Sequence, residues 1–234
     1  MSTVYFFRHG QAGTRTDYDR LSDLGREQAT LLGAHVAREG WQFDRIICGG
    51  LRRQQETAAA VVSRAALHPP QLDTRWNEFD LDDVFAGIAP QMAADDDQFR
   101  IEYEEIERLI RDGDGAIHRQ WRPADTKVVK AWIEGRYTFA GESWLQFVAR
   151  VKAAGAELAA LPADARVAVF TSATPVSIWV AAAFASEQPP HVMKLAGAAI
   201  NSNITVLKWL HGEPHLGCFN AIPHLGDSRL RTFR

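Results

Sequence analysis

A histidine flanked by an arginine and a glycine stands near the start of the chain, in the segment Arg8-His9-Gly10. A histidine ring can act as a covalent nucleophile, and a neighbouring guanidinium offers planar, paired donors that match the oxygens of a phosphate group. The alternative is a turn that holds an ion pair, and for an isolated Arg-His-Gly tripeptide this is the better interpretation. The elements around the tripeptide must therefore decide whether it is a site.

Apolar runs place this tripeptide at the end of a strand. Residues 3–7 form a short apolar run, and Arg8 follows it directly. Further patterns predict a helix after the capping residue Ser22, a strand over 43–48, a helix over 51–67, a helix over 142–161, a strand over 166–171, a helix over 175–185 and a strand over 204–210. Strands that alternate with helices are typical of parallel crossover units, so the sequence predicts an α/β fold.

The segment from about residue 80 to 140 differs from the rest of the chain, because it is rich in acidic residues and its pattern is helical. Ile106, Leu109 and Ile110 have the spacing of one helix face. We interpret the segment as a helical insertion within a single domain of residues 1–234. Ligands of open α/β sheets bind beyond the carboxyl ends of the strands, so we expect an insertion that leaves the sheet there to cover the site as a lid.

An ordered series of further motifs changes the interpretation of Arg8-His9-Gly10. The series consists of Leu-Ser-Asp-Leu-Gly-Arg-Glu-Gln-Ala at 21–29, Leu-Arg-Arg-Gln-Gln-Glu-Thr-Ala at 51–58, Trp-Asn-Glu at 76–78, Gly-Glu-Ser at 141–143, the segment 201–207, and Asn-Ala-Ile-Pro-His-Leu at 220–225. In this order the motifs resemble the histidine phosphatase superfamily, the phosphoglycerate-mutase-like proteins. The resemblance covers both halves of the chain and leaves the insertion uncovered.

The resemblance implies a three-layer α/β/α sandwich with a mostly parallel central sheet. It also implies that the histidine after the first strand, here His9, is phosphorylated and then dephosphorylated by water. Arg8 matches the arginine that precedes the nucleophile. Arg53 matches the second pocket arginine, because the register Leu-x-Arg-x-x-x-Thr-Ala selects it over Arg52. Both would bind phosphate, and the alternative for either arginine is a surface charge.

Glu78 matches the acidic residue with which the family's phosphatases protonate the leaving oxygen and later activate water. A carboxyl group in this role needs a pKa raised by burial or by negative neighbours, so that it still holds a proton near neutral pH. Asp80 is the alternative proton donor. Asp82 and Asp83 are better interpreted as part of an acidic segment that faces water.

The sequence departs from the family pattern after the strand at 166–171. The family has a second histidine there, usually followed by a glycine, and this histidine donates to the phosphoryl group. Here Ser172 and Ala173 stand at these positions, and we assign both to the phosphate pocket. Two changed positions favour natural divergence over a single engineered substitution. Loss of one preorganised donor lowers turnover about 100- to 1000-fold, so we expect binding to survive better than catalysis.

Two patterns have the superficial spacing of metal sites. His211 and His215 lie four residues apart, but in a Gly-Pro turn without a nearby third ligand, and the segment 112–115 (Asp-Gly-Asp-Gly) lacks the downstream glutamate of a calcium loop. We therefore predict neither a metal nor another cofactor. Trp121 and Trp132 are candidates for lining a pocket for an organic substrate, although packing in the core or the lid is the default.

Composition restricts the classes of partner. The 234 residues carry 26 Lys and Arg against 29 Asp and Glu, a net charge of −3, whereas nucleic-acid binders are usually more basic. With two cysteines, no apolar run of membrane-spanning length and no signal-peptide pattern, the sequence predicts a cytoplasmic protein without nucleic-acid or membrane partners. The expected partner is a small phosphorylated substrate or phosphate. The oligomeric state stays open.

Two classes of function follow from these residues. The first is a metal-independent phosphomonoesterase that works through a phosphohistidine on His9, with activity weakened by Ser172. The second is a catalytically impaired relative that uses the same pocket to bind a phosphorylated metabolite or phosphoprotein. The retention of both a nucleophile and the acid Glu78 favours the enzyme, since a pocket freed from catalysis needs neither. A phosphoglycerate-type mutase ranks last. The physiological substrate is expected to be selected by the insertion.

Overall fold

Six strands form one sheet in the computed structural model, which describes residues 1–13, 17–112 and 122–233. The strands are Ser2–Arg8 (β1), Arg45–Cys48 (β2), Gln71–Leu72 (β3), Arg166–Thr171 (β4), Ile204–Leu210 (β5) and Glu213–Ala221 (β6). Their order is β3-β2-β4-β1-β5-β6. The strands from β3 to β1 pair in parallel, whereas β5 pairs antiparallel with β1 and with β6. The α/β prediction is confirmed, and the sheet is mixed.

The sequence located the inner strands better than the outer ones. β4 and β5 have the predicted bounds, and β1 extends the predicted run by one residue at each end. β2 is shorter than predicted, since it begins at Arg45. The two edge strands were not predicted as strands: both residues of β3 are exposed, and β6 has no fully buried residue. An edge strand is only half covered and therefore lacks the continuous apolar run of a buried strand.

The described residues form eight α-helices. They are Asp23–Arg38 (α1), Arg52–Ala65 (α2), Leu81–Asp95 (α3), Asp97–Arg111 (α4), Pro123–Ile133 (α5), Trp144–Ala159 (α6), Ala173–Ala182 (α7) and Pro189–Ala198 (α8). As predicted, Ser22 caps α1, because its Oγ accepts from the backbone N–H of Gly25 at 3.0 Å. α7 begins two residues before the predicted start at Pro175. Pro175 fits the first helical turn, where the missing N–H has no intrahelical partner in any case.

One compact unit contains the sheet and comprises residues 1–13, 17–78 and 150–233. On one face of the sheet, Phe7 and Phe170 pack with Leu32 of α1 and Val61 of α2. Side chains alternate between the faces of a strand. The opposite face is also fully buried, at Val4, Phe6, Val167 and Val169. α7 packs against β1. Helices therefore cover the sheet and place its polar residues at the strand ends.

A second compact unit contains residues 79–149 and includes α3, α4 and α5. Asp80 caps α3, because its Oδ1 accepts from the backbone N–H of Asp83 at 3.0 Å. Trp132 is 3% exposed and packs against Phe79, with ring centroids 4.9 Å apart, and against Trp144 at 5.6 Å. Trp132 therefore contributes to the core of this unit. The role of the segment as a lid stays a prediction.

Some sequence predictions lie outside the described residues, namely those for Gly113, Asp114, Gly115 and Trp121. None of the helices within the described ranges is both long enough and apolar enough to cross a bilayer.

A buried histidine near the end of the chain connects two loops of the sheet-containing unit. His224 is 8% exposed, and its Nε2 lies 2.9 Å from Oγ of Ser202. Burial, together with the neighbouring His35, lowers the pKa of His224 to about 4. Ser202 in turn donates its backbone N–H to the carbonyl oxygen of His9 at 3.0 Å. His224 is therefore neutral at neutral pH and supports the loop that holds His9.

Because His224 is buried in its neutral form, we expect the free energy of unfolding to fall in acid. The substitution His224→Gln should make this fall smaller. The unfolded chain takes up a proton at His224 near pH 6.5 and the folded chain only near pH 4. The contribution of neutral His224 to the free energy of unfolding is therefore complete above pH 6.5, and about 3 kcal/mol of it is lost as the pH falls to 4. Urea denaturation between pH 7.5 and 4 measures this slope.

The exposed His211 supplies the control. His211→Gln should keep the wild-type dependence of unfolding free energy on pH, whereas His224→Gln should make it shallower and leave the part due to His9. Parallel curves for the wild type and His224→Gln would contradict the expected titration.

Candidate active site

The carboxyl ends of β1 and β4 bring His9 and Ser172 side by side. Arg8 and Thr171 are register partners at the ends of these parallel strands, and the backbone N–H of His9 donates to the carbonyl of Thr171 at 3.0 Å. The chain continues from β1 into His9 and from β4 into Ser172. This edge of a parallel sheet is where α/β proteins commonly bind ligands.

Two hydrogen bonds determine which ring nitrogen of His9 carries the proton. Nδ1 lies 2.7 Å from the carbonyl oxygen of Gly10, which can only accept. Nε2 lies 3.3 Å from Nε of Arg53, which can only donate. Nδ1 is therefore protonated, and Nε2 keeps its lone pair. A lone pair on Nε2 is what a histidine nucleophile requires.

The surroundings keep this ring neutral. Burial lowers the pKa of His9 well below 6.5, and the positive charges of Arg53 and Arg8 lower it further. The hydrogen bond to Gly10 opposes these effects without reversing them. Because protonation would remove the lone pair, a lowered pKa keeps Nε2 available as a nucleophile at neutral pH.

The main chain around His9 is held from three sides. The carbonyl oxygen of His9 accepts from the N–H of Ser202 at 3.0 Å and from Nδ2 of Asn201 at 3.4 Å. The N–H of Gly10 donates to Oγ1 of Thr57 at 3.1 Å. A Cβ at Gly10 would collide with the carbonyl oxygen of Gly25 at the start of α1. The close approach of the two backbones therefore requires glycine at position 10.

Of the two adjacent arginines at the start of α2, the structure places Arg53 beside His9. Arg53 is 7% exposed, and its Nη1 lies 2.6 Å from Oδ1 of Asp19. The guanidinium also lies over the ring of Tyr18, 5.3 Å from the centroid. Arg52 is exposed, and its side chain bonds Glu56 at 2.7 Å.

Arg8 is buried and contacts main-chain carbonyl groups. Its guanidinium donates to the carbonyl oxygen of Ala199 and, at 2.7 Å, to that of Phe233. Its charge is close enough to lower the pKa of His9. These contacts tie the segment before β5 and the C-terminal residues to the end of β1. A contribution of Arg8 to phosphate binding stays a prediction.

The other predicted site residues meet at the N-terminus of α7. Ser172 is fully buried and precedes the helix, and Ala173 is its first residue. Glu78 joins them, because its Oε2 accepts from the backbone N–H of Thr174 at 3.1 Å. A helix N-terminus offers free N–H groups and a partial positive charge, both of which favour an anion. Asp80, the alternative acid, caps α3 in the other unit.

Sequence reasoning missed three side chains near these residues. Asp19 bonds Arg53 as described, and its Oδ2 also accepts from the backbone N–H of Arg52 at 2.9 Å. Gln54 is fully buried, and its Nε2 donates to Oγ of Ser172 at 2.9 Å. Arg150 supports the segment before Glu78, with Nη1 donating to the carbonyls of Thr74, Arg75 and Asn77 at 3.4, 2.9 and 3.1 Å. Of these three residues, only Gln54 could have been identified from the sequence, because it is a polar residue on the apolar face of a helix.

The two histidines with metal-like spacing do not lie in a common ligand set. His211 is in the turn after β5, and His215 lies within β6 opposite Lys208. The described part of the chain contains no group of three or more His, Cys, Asp or Glu side chains arranged to hold a metal ion.

The chain belongs to the histidine phosphatase superfamily (branch 1), whose sequence profile matches residues 4–104 and 102–222. The two matched segments meet within α4. The match therefore runs through the segment 80–140, which the motif resemblance had left uncovered. No curated protein matches this sequence.

Solved structures with this fold come from several organisms. A phosphoserine phosphatase mutant from Entamoeba histolytica, in complex with phosphoserine, is 16% identical with a TM-score of 0.59, and the alignment covers 96% of this chain and 100% of that one. Mycobacterial glucosyl-3-phosphoglycerate phosphatase with inorganic phosphate is 24% identical, with a TM-score of 0.58 and coverage of 95% and 98%. Bacillus stearothermophilus YhfR is 18% identical, with a TM-score of 0.65 and coverage of 96% and 100%.

The contact between Asp19 and Arg53 predicts that Asp19→Asn binds inorganic phosphate more tightly. A phosphate that approaches Arg53 meets the negative charge of Asp19 on the same guanidinium. Asparagine keeps an acceptor for Arg53 and removes that charge, so we expect the Kd for phosphate to fall about three- to tenfold. Isothermal titration calorimetry at pH 7 measures the change.

Asp17→Asn is the matched control, because Asp17 lies on the same loop and pairs with Arg20 at 3.0 Å. It should leave the Kd near the wild-type value. Equal or weaker phosphate binding by Asp19→Asn would contradict the expected repulsion.

Proposed function

We propose that this protein is a metal-independent phosphomonoesterase that passes a phosphoryl group through Nε2 of His9. The observation that carries the proposal is the state of this ring, with its proton on Nδ1 facing Gly10 and its lone pair on Nε2 facing Arg53. Membership of the histidine phosphatase superfamily supports the same chemistry. The phosphatases of like fold, with phosphoserine or inorganic phosphate bound, support a phosphorylated substrate.

In the first step the lone pair on Nε2 of His9 attacks phosphorus in line with the ester oxygen. The new N–P bond forms as the P–O ester bond breaks, and the leaving oxygen takes a proton from the carboxyl group of Glu78. Arg53 and Arg8 balance the charge of the phosphoryl oxygens. The hydroxyl of Ser172 and the backbone N–H of Ala173 donate to the same oxygens.

In the second step water attacks the phosphohistidine. The Glu78 carboxylate takes a proton from the water, the N–P bond breaks, and inorganic phosphate leaves with the original state of His9 restored. Ser172 is a neutral donor where the family pattern has a histidine, so turnover is weaker than with a charged donor. The segment 80–140 acts as the lid that selects the substrate within a single domain, and the protein works in the cytoplasm.

His9→Ala tests the nucleophile directly. Without the ring, hydrolysis of p-nitrophenyl phosphate in the absence of metal should fall at least about 1000-fold, because the covalent path is removed. The wild type should form an acid-labile phosphoryl adduct that mass spectrometry detects in a rapidly quenched reaction, and the variant should form none. His215→Ala is the control and should keep the wild-type rate, because His215 pairs with Lys208, the partner of Thr3 at the start of β1, whereas His9 follows the end of β1.

Two other outcomes would decide against the proposal. An unchanged rate in His9→Ala would remove this nucleophile. If the wild type and His9→Ala are equally inactive while both bind orthovanadate, the protein is the impaired relative that binds phosphorylated ligands.

Glu78→Gln tests the proton donor through the leaving group. An alkoxide needs a proton to leave, whereas nitrophenolate is stable without one. We expect phosphorylation of His9 by an alkyl phosphate to slow about 100- to 10,000-fold and its phosphorylation by p-nitrophenyl phosphate to slow less than about tenfold. Single-turnover rates of release of the alcohol and of nitrophenolate measure the difference, because the later attack of water, which also uses Glu78, is common to both substrates.

Asp80→Asn is the matched comparison, since Asp80 is the alternative acid. Asp80→Asn should change the rates for the alkyl phosphate and for p-nitrophenyl phosphate by the same small factor. A loss that depends on the leaving group in Asp80→Asn, and not in Glu78→Gln, would transfer the role to Asp80.

A further inference from the structure

The carboxamide of Gln54 has a fixed orientation inside the protein. Its Oε1 faces the backbone N–H of Leu51 at 3.2 Å, which can only donate. Its Nε2 faces the carbonyl oxygen of Trp76 at 3.3 Å, which can only accept. The amide group therefore has one possible assignment of oxygen and nitrogen. It follows that Gln54 is the donor, and Ser172 the acceptor, in the 2.9 Å contact between them.

This contact restricts what the hydroxyl group of Ser172 can do. A serine hydroxyl has one proton and two lone pairs, and Gln54 occupies the side of one lone pair. The proton must then point away from Gln54. No described residue accepts it, although Ser172 is fully buried. A buried donor without an acceptor is unfavourable, so an incoming acceptor is stabilised there.

The acceptor that fits this position is an oxygen of a phosphoryl group. Ser172 lies one residue beyond Thr171, the register partner of Arg8, and is therefore next to His9 at the sheet edge. A group that reacts with Nε2 of His9 brings its oxygens to this edge.

We infer that Gln54 is a positioning residue that fixes Ser172 as a hydrogen-bond donor to the phosphoryl group. The inference rests on the proposed function, because that function brings the phosphoryl group to His9. The adjoining loop is shaped for Gln54 as well, since a Cβ at Gly49 would collide with Oε1 of Gln54. Gln54 itself does not touch the substrate, because both of its amide protons are already donated.

A double-mutant cycle with Ser172→Ala and Gln54→Met tests the inference. Methionine has a similar length and lacks the amide donors, so the Ser172 hydroxyl becomes free to rotate. With p-nitrophenyl phosphate we expect each single variant to lower kcat about three- to tenfold with little change in KM, since the bond strengthens as charge develops. Gln54→Met should lower kcat no further when Ser172 is already alanine.

A merely structural role of Gln54 gives a different pattern. Gln54→Met would then lower kcat by the same factor in the presence and in the absence of the Ser172 hydroxyl, and this additivity would overturn the inference. Thermal denaturation of the four proteins provides the independent readout: Gln54→Met should lower Tm in both backgrounds, because the contacts to Leu51 and Trp76 are lost, and lower it more when Ser172 is present, because the bond to Ser172 is lost as well.

Gln54→Glu keeps the test decisive if Gln54→Met fails to fold. Burial raises the pKa of the introduced carboxyl, so kcat is compared at alkaline pH, where an ionised carboxylate offers Ser172 only acceptors and turns the hydroxyl proton away from the phosphoryl group. There we expect a loss of kcat at least as large as that of Ser172→Ala. Wild-type kcat in Gln54→Glu across the pH range up to this alkaline limit would overturn the inference.

Orthovanadate binding separates this inference from the proposed hydrolysis. Calorimetry gives the Kd of orthovanadate for the same four proteins without any need for turnover. If the wild type binds orthovanadate but hydrolyses nothing, the proposed hydrolysis fails, while non-additive changes in Kd still support the role of Gln54 and additive changes overturn it. A wild type that binds no orthovanadate would overturn both.

Discussion

The candidate site depends on one hydrogen bond, from Nδ1 of His9 to the carbonyl oxygen of Gly10. Transfer of the proton to Nε2 would leave two donors, the ring N–H and Arg53, facing each other, and would remove the lone pair. Most of the local structure serves to keep this bond in place. The contacts of Ser202 and Thr57 hold the two residues, and the approach to α1 tolerates no side chain at Gly10. Burial also lowers the pKa of the ring, so that the ring stays neutral at neutral pH and Nε2 keeps its lone pair.

Two buried arginines impose a second constraint, because a buried cation needs partners even when no anion is bound. Arg8 meets this need with main-chain carbonyl groups, and Arg53 meets it with Asp19. The two kinds of partner respond differently to an incoming phosphate. The carbonyl groups are neutral and can share Arg8 with an anion, whereas the carboxylate of Asp19 opposes a second negative charge. The geometry therefore makes Arg53 the arginine whose environment must adjust most when phosphate binds.

The sequence predicted those parts of the site that depend on order along the chain. His9 follows an apolar strand, and the motif register singled out Arg53, which the structure places beside it. What the sequence lacked were contacts between segments far apart in the chain. Arg150 bonds carbonyl groups more than seventy residues away, and carbonyl groups carry no sequence signal. The start of α7 was misplaced for a local reason, since Pro175 looks like a first helical residue and lies in fact within the first turn.

Ser172 is better understood together with its surroundings than as an isolated departure from the family pattern. Gly49, Gln54 and Ser172 are separated in sequence and adjacent in space, and each suits the others: the glycine leaves room for the carboxamide, and the carboxamide bonds the serine. Unsatisfied buried polar groups destabilise a fold whether or not its pocket is catalytic, so stability alone accounts for the partners of the Gln54 amide. Here every hydrogen-bonding atom of the Gln54 amide has a partner, and the Ser172 proton is left to point elsewhere. The Ser172 proton is the feature that stability does not explain, because it is buried and no described residue accepts it, and a phosphoryl oxygen is the acceptor that our inference supplies.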